Sequence, residues 1–143
     1  SAKKLNFEAR FEADLLELAA QCDVVVVALA RTEQTYHMIG PSVFEAMQDH
    51  AILVNIARGD IVDETALITA LEHGMIAGAG LDVYEHEPTV NPKLRNNKRV
   101  VLIPHMASAT HEARIEMGEK VIINIKTFAD GHTPPDRVFP SML

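Results

Sequence analysis

Residues 51–83 read AILVNIARGDIVDETALITALEHGMIAGAGLDV and predict a strand, a helix and a second strand in succession. Asp63 stands at the position of a helix N-cap, and Gly74 stands where a helix ends in a left-handed residue. Glu64 follows the cap, where a negative charge favours the helix dipole. The predicted elements are a strand Ala51–Asn55, a helix Glu64–His73 and a strand Met75–Val83.

The same alternation continues on both sides of this unit. Apolar residues at helical spacing predict helices, and short β-branched runs predict strands. Strands that alternate with helices indicate an α/β fold with a doubly wound parallel sheet, so Val24–Leu29 is expected to be buried on both faces. The flanking elements are predicted as a helix Phe11–Gln21, a strand Val24–Leu29, a helix Val43–Gln48, a strand Arg99–Ile103 and a helix Thr110–Ala129.

Composition excludes several classes of protein. The 143 residues carry 13 Lys+Arg and 20 Asp+Glu, and the net charge of −7 argues against a nucleic-acid binder. The apolar run Val24–Ala30 falls far short of the roughly 20 residues that a membrane helix needs. A single cysteine, Cys22, suits a reducing compartment, and we expect a cytoplasmic protein. No H-E-x-x-H motif or cysteine pair supports a metal site.

Polar residues follow the predicted strands at the edge where ligands bind in open α/β sheets. Arg58, in a Gly-flanked loop, can present its planar fork to a carboxylate, although a surface turn would also explain it. Asp82 can accept a hydrogen bond from a ligand amide or simply form a turn. His105 is placed to transfer a proton, with Glu87 as its hydrogen-bonding partner, whereas a lone histidine is more often structural. The combination of all four favours an active site.

Three segments of the chain resemble a known family. Residues 55–67 (NIARGDIVDETAL) resemble the arginine signature of the D-isomer-specific 2-hydroxyacid dehydrogenases. Residues 80–88 (GLDVYEHEP) are similar to the glutamate segment of that family, and residues 104–110 (PHMASAT) to its histidine segment. Within the family, the chain is most similar to bacterial glyoxylate/hydroxypyruvate reductases. The family often has Pro at the position of Ala30 and Gly at that of Ala107.

The resemblance implies an NAD- or NADP-dependent oxidoreductase that reduces glyoxylate or hydroxypyruvate as a Rossmann-fold homodimer. In that scheme Arg58 orients the 2-oxo acid, His105 supplies the proton and Glu87 is the partner of His105. Asp82 would meet the nicotinamide amide. The complete set of implied cofactor contacts is Leu29, Ala30, Thr35, Ile56, Ala57, Arg58, Asp82, His105, Ala107 and Ser108.

The family's nucleotide domain also contains elements that this chain lacks. G-x-G-x-x-G, which holds the pyrophosphate, does not occur in the 143 residues. We therefore expect residues 1–130 to be the C-terminal portion of an NAD(P)-binding domain, and residues 131–143 a tail that returns towards an absent substrate domain. The chain alone is expected to bind the dinucleotide weakly or not at all.

Two other functions remain open at the level of sequence. The NAD-sensing transcriptional co-repressors related to this family share the same three residues and use the dinucleotide for assembly rather than turnover. An inactive fragment of an enzyme is the other alternative. A formate dehydrogenase is disfavoured, because relatives of that kind pair the histidine with Gln where this chain has Glu87.

Overall fold

The computed structural model of the protein describes residues 9–139. The chain forms two compact units, which divide after Pro104. The predicted division at residue 130 stays a prediction, and the last four residues of the predicted tail lie outside the described residues.

A parallel sheet of four strands forms the centre of the first unit. The strands are β1 (Val24–Val27), β2 (Ile52–Asn55), β3 (Gly78–Leu81) and β4 (Val100–Leu102). They lie in the order β1-β2-β3-β4, so each strand pairs with the next one along the chain. In the register of the sheet Val26 lies opposite Val54, which lies opposite Gly80. The predicted α/β fold with a parallel sheet is confirmed.

One helix precedes the first strand of this sheet, and three others lie in the connections between its strands. They are α1 (Leu15–Gln21), α2 (Pro41–Ala46), α3 (Glu64–His73) and the short α4 (Pro92–Arg95), with 3-10 turns at Glu33–Thr35 and Gly59–Ile61. The caps of α3 are those the sequence predicts: the Asp63 carboxylate accepts the Ala66 N–H at 2.9 Å, and Gly74 has φ +69°. The core between helices and sheet contains Phe44, Leu53, Leu67 and Leu71, each at most 1% exposed.

The bounds of several predicted elements need correction, and the helix predicted over Val43–Gln48 spans Pro41–Ala46. The first helix begins at Leu15 rather than Phe11, because the Asp14 carboxylate caps the N–H groups of Leu16 and Glu17. The strand predicted over Met75–Val83 is shorter and spans only Gly78–Leu81. The backbone approaches its neighbour closely at Gly78, where an added Cβ would lie 2.6 Å from the Arg99 carbonyl oxygen. At Gly80 there is room for a side chain, since the atom nearest to an added Cβ is Val54 Cγ2 at 3.8 Å.

The first strand is also shorter than predicted, and only one of its faces is buried. It ends at Val27, and its residues alternate in exposure. Val25 and Val27 are 4% and 1% exposed, whereas Val24 and Val26 are 49% and 54% exposed. An apolar run therefore identified the strand but not how each face is covered.

The second unit contains one long helix, α5 (His111–Ala129). The Thr110 hydroxyl caps it by accepting the Ala113 N–H at 3.2 Å. Near its C-terminal end, the Asn124 amide donates to the Asp136 carboxylate at 2.8 Å and accepts the Asp136 N–H at 3.1 Å, which fastens residues after the helix to it. No helix within residues 9–139 is both long enough and apolar enough to cross a membrane.

Candidate active site

The loop after β2 presents Arg58. Asn55, 1% exposed at the end of the strand, shapes this loop with both ends of its amide. Its Oδ1 accepts the Ala57 N–H at 3.0 Å, and its Nδ2 donates to the Arg58 carbonyl at 2.9 Å. Arg58 Nη1 donates to the Ala57 carbonyl at 2.6 Å, which fixes the guanidinium close to its own backbone. The arginine is therefore held in place by a buried asparagine that sequence reasoning did not single out.

A cavity of about 480 Å³ lies where the loops after β1 and β2 face each other. Five of the predicted site residues line it, together with Ala28 and Arg31: they are Leu29, Ala30, Ile56, Ala57 and Arg58. Five of the seven lining residues are apolar, and the other two are the arginines Arg31 and Arg58. A flat aromatic ring fits such a wall, and an anionic group fits beside the guanidinium groups.

Two threonines stabilise the loop after β1 through hydrogen bonds within the loop. Thr35, which was predicted to line the cofactor, donates its hydroxyl to the Ala30 carbonyl at 3.0 Å. Thr32 and Thr35 also accept each other's backbone N–H groups, at 2.7 and 3.3 Å. Thr35 thus holds Ala30 against the cavity. Arg31 Nε donates to Asp60 Oδ2 at 2.9 Å and connects this loop with the loop after β2.

The loop after β3 carries two carboxylates that differ in exposure, since Asp82 is buried and Glu87 is exposed. Asp82 is 2% exposed, and its backbone N–H donates to the Asn55 carbonyl at 3.0 Å. Glu87 is exposed, and its Oε1 accepts the Tyr84 N–H at 3.0 Å. Both residues make further interactions. The carboxylate of Glu87 therefore helps to close its own loop.

Tyr84 anchors the same loop to the end of β4. Its hydroxyl donates to the Ile103 carbonyl at 2.7 Å and lies 3.3 Å from the Leu81 carbonyl. Burial raises the pKa of Tyr84 above its ordinary 10.0, and the negative charges of Asp82 and Glu87 raise it further. The phenol is therefore neutral at physiological pH and acts as a hydrogen-bond donor.

Sequence reasoning missed a network around His37. His37 Nε2 lies 2.8 Å from Glu85 Oε1. Glu85 and Glu64 each accept the backbone N–H of the other, at 3.2 Å in both directions. An acidic residue at the start of α3 and another in the loop after β3 were the available signal, but nothing in the sequence pairs them with a histidine many residues earlier. Within residues 9–139 no group of three or more His, Cys, Asp or Glu side chains is arranged to hold a metal ion.

The remaining predicted residues belong to the second unit. His105, Ala107 and Ser108 are exposed there, and His105 and Ala107 make interactions of their own. His105 has φ +49°, a value shared among the described non-glycine residues only by His37. A left-handed histidine is costly, and such residues concentrate at functional sites. The backbone thus gives His105 a feature that the sequence did not predict.

Comparison with known proteins defines the class to which this fold and site belong. The profile of the D-isomer specific 2-hydroxyacid dehydrogenase NAD binding domain matches residues 1–107 of the chain. That match covers well over half of the 143 residues, and the chain belongs to this family.

Individual relatives carry more particular names. The chain is 52% identical over 124 residues to a glyoxylate reductase of Thermococcus gammatolerans, covering 87% of this chain and 37% of the relative. It is 44% identical over 143 residues to glyoxylate/hydroxypyruvate reductase B of Yersinia pestis, covering 99% of this chain and 44% of that protein.

A solved structure supports the same relationship. The NADPH-dependent glyoxylate/hydroxypyruvate reductase of Sinorhizobium meliloti, in complex with NADP and malonate, superposes with a TM-score of 0.79 at 37% identity. The match covers 86% of this chain and 39% of that one. The chain thus spans about two fifths of the length of these relatives.

Proposed function

We propose that the complete protein containing this chain is an NAD(P)-dependent reductase of small 2-oxo acids, with glyoxylate and hydroxypyruvate as its substrates. One observation carries the proposal: Arg58 lines a cavity with a mostly apolar wall, at the carboxyl ends of a parallel sheet. A planar ring and a carboxylate are the two groups that such a cavity accommodates side by side. The family membership and the names of the relatives agree with this pairing.

The residues proposed to contact the cofactor are of two kinds: some pack against its ring, and others form polar contacts with it. When bound, the reduced nicotinamide supplies a hydride for C2 of the substrate. Leu29, Ala30, Ile56 and Ala57 would form the apolar wall against its ring, and the buried Asp82 would accept a hydrogen bond from its carboxamide. By resemblance to the family, Thr35, Ala107 and Ser108 complete the cofactor contacts.

Substrate binding and proton transfer are assigned to three residues. Arg58 binds the carboxylate of the 2-oxo acid through its planar fork and orients the carbonyl. As C2 takes the hydride, the carbonyl oxygen gains negative charge, and His105 donates a proton to it. By resemblance to the family, Glu87 is assigned as the partner of His105 in the complete enzyme. The products are the 2-hydroxy acid and the oxidised cofactor, which balances the reaction.

The proposal extends to assembly and location. The complete enzyme is a cytoplasmic homodimer that binds no nucleic acid, and residues 1–130 complete its NAD(P)-binding domain. The net charge of −7 supports the lack of nucleic-acid binding, and the single cysteine supports a reducing compartment.

A steady-state assay of the complete protein tests the proposal. Glyoxylate and hydroxypyruvate are offered with NADH or NADPH, and the loss of reduced-nicotinamide absorbance is followed. We expect turnover, and a fall in kcat of about a hundredfold or more in His105→Ala, because general acid catalysis is lost. Tight dinucleotide binding without turnover of either substrate would instead support an NAD-sensing binding module. An unchanged kcat in His105→Ala would remove that residue from the mechanism.

A further inference from the structure

The loops that follow β1, β2 and β3 all meet at one residue, His37, which uses its backbone N–H for one neighbouring loop and its imidazole for the other. His37 lies in the loop after β1, two residues beyond Thr35. It contacts the loop after β2, which carries Arg58, and the loop after β3, which carries Asp82 and Glu87. His37 does not line the cavity beside Arg58. Any effect on the site therefore acts through these loops.

Backbone hydrogen bonds connect His37 and its neighbours with the loop after β2. The His37 N–H donates to the Asp60 carbonyl at 2.9 Å, two residues beyond Arg58. The contact continues as an isolated parallel bridge between Ile39 and Val62. There the Ile39 N–H donates to the Ile61 carbonyl and the Asp63 N–H to the Ile39 carbonyl, both at 3.0 Å. These bonds fix the position of His37 relative to Arg58.

The imidazole connects the same point with the loop after β3. Its Nε2 lies 2.8 Å from Glu85 Oε1, and an ionised carboxylate only accepts, so Nε2 is the donor. Glu85 Oε2 accepts the N–H of Glu64, the first residue of α3, and Glu64 Oε2 accepts the N–H of Glu85. Glu85 lies two residues before Glu87. Both oxygens of one carboxylate are thus used to join three parts of the chain.

His37 adopts an energetically unfavourable backbone conformation. Its φ of +49° lies in the left-handed region, which is unfavourable for a histidine. The ring stacks on Tyr36 with centroids 4.0 Å apart and planes 13° from parallel. Its Nδ1 side faces Asp63, with Oδ2 at 3.9 Å. The surrounding contacts therefore hold His37 in a strained backbone conformation, in which its imidazole reaches Glu85.

We propose that His37 is a positioning residue of the reductase: its bond to Glu85 sets the distance between the Arg58 loop and the loop of Asp82 and Glu87. This inference rests on the proposed function, because it assigns the result of the positioning to substrate binding at Arg58. Without the imidazole, the loop after β3 loses its hydrogen bond to His37. Since a small misplacement of a binding group costs affinity, the main effect falls on KM for the 2-oxo acid.

Two substitutions at His37 separate the hydrogen bond from the backbone strain. His37→Ala removes the donor, and His37→Gln keeps an N–H donor near the position of Nε2. Both are ordinary L residues at φ +49°, so they experience similar strain. The matched control is His50→Ala, because His50 Nε2 also lies 2.8 Å from a carboxylate, Asp23 Oδ1, but contacts none of the site loops.

Kinetics of the complete protein give the first readout. For His37→Ala we expect KM for glyoxylate to rise about tenfold, with kcat changed much less, because Arg58 is displaced while the proton donor is intact. His37→Gln should recover most of the loss, and His50→Ala should match the wild type. In a double-mutant cycle, His37→Ala and Glu85→Ala together should raise KM by less than the product of their separate effects, because both remove the same hydrogen bond. Equal KM values in wild type and His37→Ala, or no recovery by His37→Gln, would overturn the proposal.

Amide hydrogen exchange gives a second readout that does not depend on activity. In the 143-residue chain, His37→Ala should speed exchange at the N–H groups of Glu64 and Glu85 relative to wild type and His50→Ala. If the protein reduces no 2-oxo acid while exchange rises there, the proposed function fails and the loop anchor stands. If exchange is unchanged, His37 does not hold these loops together, whatever the activity.

Discussion

Gly59 packs directly against the peptide group of Tyr84, so closely that a Cβ at Gly59 would overlap the carbonyl carbon and oxygen of Tyr84. The two residues belong to neighbouring loops, after β2 and after β3. Gly59 follows Arg58, and Tyr84 binds Glu87 through its backbone N–H. The distance between the loops of Arg58 and Glu87 thus depends on the absence of a side chain at Gly59.

Gly59→Ala tests this packing. Because the overlapping atoms are backbone, neither can swing aside as a flexible side chain would, so a loop must move. We expect a loss of unfolding free energy of about 3 kcal/mol, at the upper end for overpacked sites. Denaturant titration of the chain measures it.

Gly80→Ala is the matched control for that substitution. Its added Cβ meets only Val54 Cγ2 at 3.8 Å, an ordinary contact. Since alanine is also less flexible than glycine in the unfolded chain, we expect no loss of stability, and a gain of up to about 1 kcal/mol. Equal losses at Gly59 and Gly80 would show that the close approach to Tyr84 is unimportant.

The sequence predicts the parallel sheet and the position of α3 because these rest on local chemistry. A β-branched run, an N-cap at Asp63 and a left-handed glycine at Gly74 each act within a few residues of where they stand. The same holds for Arg58, whose loop is flanked by a small residue on either side. Five predicted cofactor residues line one cavity because they all follow strand ends.

Features that depend on distant partners were not predictable in this way. The exposure of Val24 and Val26 depends on what covers the sheet, which an apolar run does not encode. The hydrogen bond between His37 and Glu85 joins residues 48 positions apart. In the sequence, each of them alone is indistinguishable from a polar side chain that faces solvent. The start of α1 depends on a choice among several acidic residues, of which Asp14 forms the cap.

Arg58→Lys tests the role of the planar fork in the complete protein. Lysine keeps the charge but cannot bind a carboxylate with two parallel hydrogen bonds. Loss of one charge-assisted hydrogen bond corresponds to a rise in KM for glyoxylate of about tenfold to a hundredfold. Steady-state kinetics at saturating cofactor measure it. A KM for glyoxylate equal to that of the wild type would place the substrate carboxylate elsewhere.

Gly118→Ala should stabilise the second unit. Gly118 lies inside α5, and an added Cβ meets nothing within 4 Å. Alanine favours the helix by about 0.5–1 kcal/mol over glycine, and we expect that gain in thermal unfolding followed by circular dichroism. Gly131→Ala is the control, since its surroundings are equally open but its φ is +78°. It should give no gain; a similar rise in both variants would contradict the argument.

Tyr84 should make the stability of the first unit depend on alkaline pH. Burial is the main cause of its raised pKa, so the folded state holds the phenol proton more tightly than the unfolded chain, whose tyrosine titrates near 10.0. The stabilisation is present in full below pH 10.0 and is lost as pH rises through the folded-state pKa. The chain has two tyrosines, so Tyr36→Phe leaves Tyr84 as the only source of phenolate absorbance. We expect its titration midpoint above 10.0, and a fall in unfolding free energy above pH 10.0 that is smaller in Tyr84→Phe. A midpoint at or below 10.0 would contradict the inferred environment of the hydroxyl between Leu81 and Ile103.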